Sequence, residues 1–149
     1  MKPTPNGWPR ISSALYYFKP AEAIDFLCRA FGFEVRIRVD GPERTVIHSE
    51  LTFGGGVVMV STDTSAPGGG RPDSPHMRAP RSAGGANTQS LFVYVDDADA
   101  HCARARAAGA KIIKEPVTTD YGPEHWSDHG YEAEDPEGHR WYFAHRVRG

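Results

Sequence analysis

Little in this chain points toward a membrane, an oxidising compartment or a polyanionic partner. Cysteine is scarce: Cys28 and Cys102 are the two thiols among 149 residues. Each falls inside a helical segment, where it reads as a small apolar filler, so no disulfide framework is expected. No apolar run approaches the ~20 residues of a membrane span, and MKPTPNGWPR lacks the apolar stretch of a secretory leader. Neither sign of charge dominates, since 17 Lys and Arg against 19 Asp and Glu leave a net −2. The arginines are scattered, without a basic run or interleaved aromatics. No nucleic-acid or membrane partner is therefore expected, and the chain reads as cytoplasmic. There is also no Ser/His/Asp arrangement and no activated cysteine. Gly54-Gly55-Gly56 joins two strands with no helix after it, so it is not a nucleotide loop.

What the chain does contain is an internal echo, about half a chain apart. Ala21 to Val35 (AEAIDFLCRAFGFEV) and Ala98 to Ile112 (ADAHCARARAAGAKI) share a short acidic start, an amphipathic helix, a glycine and a strand. Ala21/Ala98, Ala23/Ala100, Arg29/Arg106, Ala30/Ala107 and Gly32/Gly109 coincide without a gap. A duplicated unit of this size predicts two copies packed together with a pocket between them.

The order of elements repeats as well. Ile11–Phe18 reads as a strand rich in aromatic and branched residues. Pro20 suits the entry to a helix over Ala21–Phe31, whose Ile24, Leu27, Cys28 and Phe31 form one apolar face. Gly32 is placed for a left-handed cap. Phe33–Val39 alternates as a strand with one wet face, and Thr45–Phe53 with Val57–Ser61 reads as a hairpin. In the second half, Gln89–Val95 is a strand and Asp96-Asp97 caps a helix over Ala98–Ala108. Lys111–Pro116 follows as a strand, then a polar loop over Thr118–Gly130. Tyr131–Ala133 and Arg140–Val147 pair across Asp135-Pro136-Glu137-Gly138, which fits a structural type I turn. Between the halves, residues 62–87 carry five glycines, four prolines and three serines, the composition of a flexible linker. The expected architecture is α+β: a single domain over 1–149, with module one at 10–61, the linker at 62–87 and module two at 88–147.

Several side chains carry candidate chemistry. His48 and Glu50 lie two apart on one strand and share a face. They suit a proton-transfer pair, or two ligands of a metal, and equally a polar ladder in which Glu50 pairs with an arginine such as Arg140. Tyr16, Phe92, Tyr94 and Tyr142 share the inward face if the alternation holds. That face suits a planar or apolar ligand, or else a solid aromatic core. Tyr121 and Trp126 lie on a loop able to act as a lid over such a cavity. His125 and His129, four apart, are weak metal-ligand candidates beside Glu50 and His48. His101, His139 and His145 are expected to face outward.

The double βαβββ order, with IDFLCRAFGF, HSELTFGGGVVMVS, VYVDDADAHCARARAAGAKI, Thr119-Asp120-Tyr121-Gly122 and EDPEGHRWYF, resembles the vicinal oxygen chelate superfamily. Within it, the chain is similar to glyoxalase, bleomycin-resistance and dioxygenase-type proteins of the PhnB-like branch. The resemblance implies sheets curling into a cup, helices on the outer face, a ligand inside and a homodimer. It also implies where a metal would sit in metal-dependent members, at Ser12, Glu50, Ser90 and Tyr142. One carboxylate and three neutral hydroxyls make a poor transition-metal site. No cofactor is therefore expected, and Ser12 and Ser90 join the candidate ligand-binding residues. The implied activities are small-molecule binding or, alternatively, a lyase, isomerase or dioxygenase reaction using Glu50 and His48.

Overall fold

Each half of the repeat builds its own four-stranded sheet in the computed structural model, which describes residues 1–69, 71 and 73–149. Module one contains β1 (Ser13–Tyr17), α1 (Pro20–Phe26), β2 (Glu34–Asp40), β3 (Val46–Phe53) and β4 (Gly56–Thr62). Module two contains β5 (Leu91–Tyr94), α2 (Ala98–Ala107), β6 (Lys111–Asp120), β7 (Ser127–Glu134) and β8 (Arg140–Arg148). The sheet orders are β1-β4-β3-β2 and β5-β8-β7-β6. In both, the first strand runs parallel to the last and the other pairs are antiparallel. This is the α+β fold of two βαβββ modules that the repeat predicts.

The ladders superpose the two halves residue by residue. Ala14, Met59 and Glu50 lie abreast in sheet one, and Phe92, Tyr142 and Glu132 lie abreast in sheet two. Because side chains alternate across a strand, these rows share one face of each sheet. The opposite faces carry Leu15, Leu51, Val58 and Val60 in sheet one and Tyr131, Ala133, Trp141 and Phe143 in sheet two, all buried. These residues join Ile24, Leu27 and Phe31 of module one and Ala98, Cys102 and Ala105 of α2 in one hydrophobic cluster. Phe31 is its hinge point, 5.3 Å from the Trp141 ring and 4.8 Å from that of Phe143. Burying each such side chain contributes about 1.5–3 kcal/mol, so the modules are joined through their helix-bearing faces.

Helix α1 is short and runs on into a π-helical turn, Leu27–Phe31, which Gly32 ends at φ 81°. Only glycine adopts that left-handed conformation without strain. No side chain of module one caps its start; module two supplies the caps at both ends. The Glu137 carboxylate accepts the Phe18 and Lys19 amides at 2.7 and 2.8 Å. At the other end, Arg104 donates to the Cys28 and Arg29 carbonyls, and His101 Nε2 to the Phe31 carbonyl at 3.0 Å. Anion at the N-terminus and cation at the C-terminus match the helix dipole. Helix α2 caps itself, with Asp97 accepting the Ala100 amide at 3.0 Å.

The Asp135–Gly138 turn is structural and more deeply embedded than its sequence suggests. Gly138 N closes it onto the Asp135 carbonyl at 3.0 Å. The Asp135 carboxylate accepts the Tyr17 hydroxyl at 2.7 Å, Trp141 Nε1 at 3.1 Å and the amides of Glu137 and His139. Burial and this carboxylate push the Tyr17 phenol far above its ordinary range. In the connection between modules, Asp63 is fully buried and accepts from Ser65, Ser82 and the Ala79 amide.

Two expectations are corrected here. The segment 118–130 is mostly sheet: β6 runs to Asp120, β7 begins at Ser127, and Thr118 pairs with His129. A strand polar on both faces carries no hydrophobic alternation, so it reads as loop. The three histidines expected outward are also engaged. His101 packs with its ring tilted, 4.4 Å from that of Phe143, His139 Nε2 meets the Tyr16 carbonyl, and His145 Nδ1 accepts the Ala98 amide. Burial lowers the His101 pKa, and imidazole is apolar enough to fill an interlayer gap when neutral. No helix among the described residues is long and apolar enough to cross a membrane.

Candidate functional site

Sheet two presents aromatic rings on its uncovered face. Phe92 is 52% exposed and Tyr94 50%, because β5 turns them away from Leu91 and Val93, which are partly buried against the core. The Phe92 ring lies 5.1 Å from Tyr94 and 4.8 Å from Tyr142. Beside them, the β6–β7 loop is closed by the Tyr121 amide on the Trp126 carbonyl, with the two rings 5.7 Å apart. Ser90, Phe92, Tyr121, Glu132, Arg140 and Tyr142 line one cavity of about 650 Å³. Burial, with Tyr121 and the Asp128 and Glu132 carboxylates, pushes the Tyr142 phenol up. Gly130 makes room for that phenol: a Cβ there would lie 3.0 Å from the Tyr142 hydroxyl and 2.6 Å from the Phe143 carbonyl.

Charges at the rim of this face are paired. Arg146 donates to buried Asp128 at 2.5 Å and to the Tyr94 hydroxyl, its guanidinium 5.1 Å from the Trp126 ring and 5.5 Å from that of Tyr94. Arg140 is held by Glu134 at 2.9 Å. Glu132 has no hydrogen-bond or ion-pair partner for its carboxylate among the described residues. Sequence reading passed over Glu132. The signal was the alternation in Tyr131-Glu132-Ala133-Glu134, which places Glu132 at the module-two counterpart of Glu50.

A second cavity, about 480 Å³, lies between the modules and takes in Ser12, Phe53, Phe92, Tyr94 and Trp141. The Ser12 hydroxyl is buried there without a partner among the described residues. Tyr16 lies apart from the other rings, in a cleft with Met77 and His139. Of the ligand-binding candidates, Ser90, Phe92, Tyr121 and Tyr142 thus share one cavity, Ser12, Phe92 and Tyr94 the next, and Trp126 flanks the first.

On sheet one, His48 Nε2 donates to Glu50 Oε1 at 3.0 Å, and Arg36 holds Oε2 at 2.7 Å. The arginine beside Glu50 is therefore Arg36 of the neighbouring strand, brought in by a bulge between Val35 and Ile37, and not Arg140. Arg36 also donates to the Gly7 carbonyl and lies 4.9 Å from the Trp8 ring, which docks the N-terminal arm. The His48 hydrogen bond lowers the Glu50 pKa, against burial and with help from Arg36. Glu50 is thus held as an anion that orients the His48 ring through Nε2.

This donor set does not suit a transition-metal ion. Both Glu50 oxygens are engaged, a guanidinium sits against one of them, and the other family positions offer only hydroxyls. His125 and His129 are not brought together with the pair. His129 lies on β7, bonded to Thr118 and 3.1 Å from Asp99, while the His125 ring packs on Trp126. Among the described residues, no group of three His, Cys, Asp or Glu comes close enough to hold a metal. Burial raises both thiols, so neither Cys28 nor Cys102 is an activated nucleophile.

Comparison with known proteins bears on this arrangement. A family model described as the Glyoxalase/Bleomycin resistance protein/Dioxygenase superfamily matches residues 11–143. An uncharacterized protein of Mycobacterium bovis is 33% identical over 143 residues, covering 96% of this chain and 87% of its own. TioX from Micromonospora sp. ML1 is 32% identical with a TM-score of 0.67, over 93% of this chain and 99% of that one. A glyoxalase I variant of Zea mays gives the same TM-score of 0.67 at 17% identity, over 91% of this chain and 44% of that one. This last likeness is one of fold alone.

Proposed function

The chain belongs to the glyoxalase/bleomycin resistance protein/dioxygenase superfamily, and on that premise we propose that it binds a planar or apolar organic molecule without a resident metal. The observation that carries this reading is the uncovered aromatic face of sheet two, Phe92, Tyr94 and Tyr142 with Tyr121 and Trp126 alongside. Large apolar rings left open to water favour stacking on a flat partner. The cavity beside them is within the size range of small-molecule sites. The sequence motifs favour the PhnB-like branch. The expected partner protein is a second copy, whose sheet-one face would close over the aromatic face. This is supported by the apolar side chains Ile37 and Val39, 44% and 45% exposed next to His48 and Glu50. Two free thiols favour the cytoplasm.

Titration with quinoline, a neutral planar heterocycle, followed by tryptophan fluorescence and a thermal melt, tests the reading. Saturable binding that Phe92→Ala weakens at least about tenfold supports it. Elemental analysis of the purified protein tests the metal-free part. One equivalent of Ni, Zn, Fe or Mn, lost in Glu50→Gln, would overturn it.

A second reading, an isomerase or lyase, rests on the His48–Glu50 pair. An anionic Glu50 holding Nε2–H leaves His48 as a general base at the open face. Deuterium exchange at an acidic carbon of a bound carbonyl compound, lost in His48→Gln, would favour it over binding alone.

A further inference from the structure

Resting on that binding reading, the geometry points to a ligand that is both planar and positively charged, read by Glu132. The cavity beside Phe92, Tyr121 and Tyr142 carries two charged side chains, Glu132 and Arg140. Arg140 is already neutralised by Glu134 at 2.9 Å. Just outside, Asp128 and Arg146 neutralise each other in the same way. Glu132 remains, half-buried, with no cationic or N–H partner for its carboxylate among the described residues.

Its counterpart makes the contrast clear. Glu50, in the same place on sheet one, has both oxygens occupied, by Arg36 and His48. Across from Glu132 the register partners are Tyr142 on β8, an aromatic ring, and Lys114 on β6, an exposed lysine that makes no ion pair with it among the described residues. A carboxylate set among ring faces attracts a cation twice over. The charge pairs with the carboxylate, and the quadrupoles of the rings stabilise the same cation. An anionic ligand would meet Glu132 without compensation, and a neutral one would leave it partly desolvated and unpaired. Glu132 is then the specificity-determining residue, and Phe92 and Tyr142 supply the stacking surface with a smaller preference of the same sign.

The probes are N-methylquinolinium, a permanent cation, quinoline, its neutral analogue, and quinoline-2-carboxylate, an anion. Affinities are measured by tryptophan fluorescence on the full chain near pH 7. The cation should bind at least about tenfold tighter than quinoline, and the anion weakest. Glu132→Gln should bring cation and neutral probe within about twofold, by weakening the cation and relieving the desolvation cost that quinoline meets at the carboxylate. Phe92→Ala should weaken both, the cation by at least as much as quinoline. Raising salt on the unmutated protein should shrink the cation's advantage alone, which tests the idea even if the Gln variant unfolds. Quinoline binding without cation preference, or a preference that survives Glu132→Gln, would overturn the role of Glu132 and leave the binding reading standing. Failure of all three probes to bind would overturn both.

Discussion

The two uncovered faces of this molecule come from one ancestral pattern and ended up chemically opposite. On sheet one the row Ala14, Met59, Glu50 has no aromatic ring, and its carboxylate is engaged on both oxygens, by Arg36 and His48. On sheet two the row Phe92, Tyr142, Glu132 is aromatic, and its carboxylate has no partner among the described residues. A carboxylate already satisfied gains little from a ligand, because each new polar contact must displace an existing one. A face with open rings and an unpaired charge gains from every contact. Repeat symmetry therefore supplied the scaffold, and the loss of equivalence between rows is what the proposed ligand would use.

The comparison presumes that the modules are held in a fixed relation, and the largest expected effect tests that. Asp135→Ala removes the acceptor of Tyr17, Trp141 and two amides, and should cost about 3–4 kcal/mol in a denaturant melt, from several buried donors left unpaired. A loss below about 1 kcal/mol would mean the turn is no latch. Next, Arg36→Gln should destabilise by about 1–2 kcal/mol because Glu50 keeps only His48, whereas Glu132→Gln should stay within about 0.5 kcal/mol. Equal losses would erase the distinction between paired and unpaired carboxylates.

Helix capping sharpens the contrast on a smaller scale. Asp97→Ala should cost about 1 kcal/mol, being a local cap, and should leave module one's amide exchange untouched. Glu137→Ala should speed exchange in α1, a helix whose N-terminal cap lies in the other module. The smallest effects are those of pH. Burial holds the His101 pKa below its unfolded value of about 6.5. Its stabilisation is thus complete above that pH and is lost as pH falls through the window beneath it. Glu50 and Asp63 are also lowered, Asp63 because hydrogen bonds from Ser65, Ser82 and Ala79 outweigh its burial. Their stabilisation persists until pH drops below about 4. Melts of His101→Gln between pH 7.5 and 5 should show a flatter pH dependence than the parent chain.

Most of the fold was legible because hydrophobic periodicity and glycine placement are local signals. Ile24, Leu27 and Phe31 announced a helix face, Gly32 its end, and the alternation around Phe92 and Tyr142 a shared sheet face. The site was legible in part. The aromatic members of the row were found by alternation, and His48 with Glu50 by spacing. Arg36 was missed because a bulge, which leaves no mark in the sequence, carries it to Glu50. Glu132 was missed because a glutamate in a polar stretch looks solvated until its neighbours are known. His101, His139 and His145 looked outward for the same reason: a histidine engaged by distant backbone groups or rings is indistinguishable in sequence from one in water.

By itself the sequence determined the duplicated βαβββ order, the helix boundaries and which residues alternate onto one face, since these follow from bonds and contacts a few residues long. Tertiary structure alone decided which carboxylate is neutralised, which histidines are enclosed and that α1 is capped at both ends from the other module. Those outcomes depend on charges and donors more than 100 residues apart in the case of Glu137 with Phe18 and Asp135 with Tyr17. Pairing at such separations is set by how the sheets pack, and no local pattern encodes it.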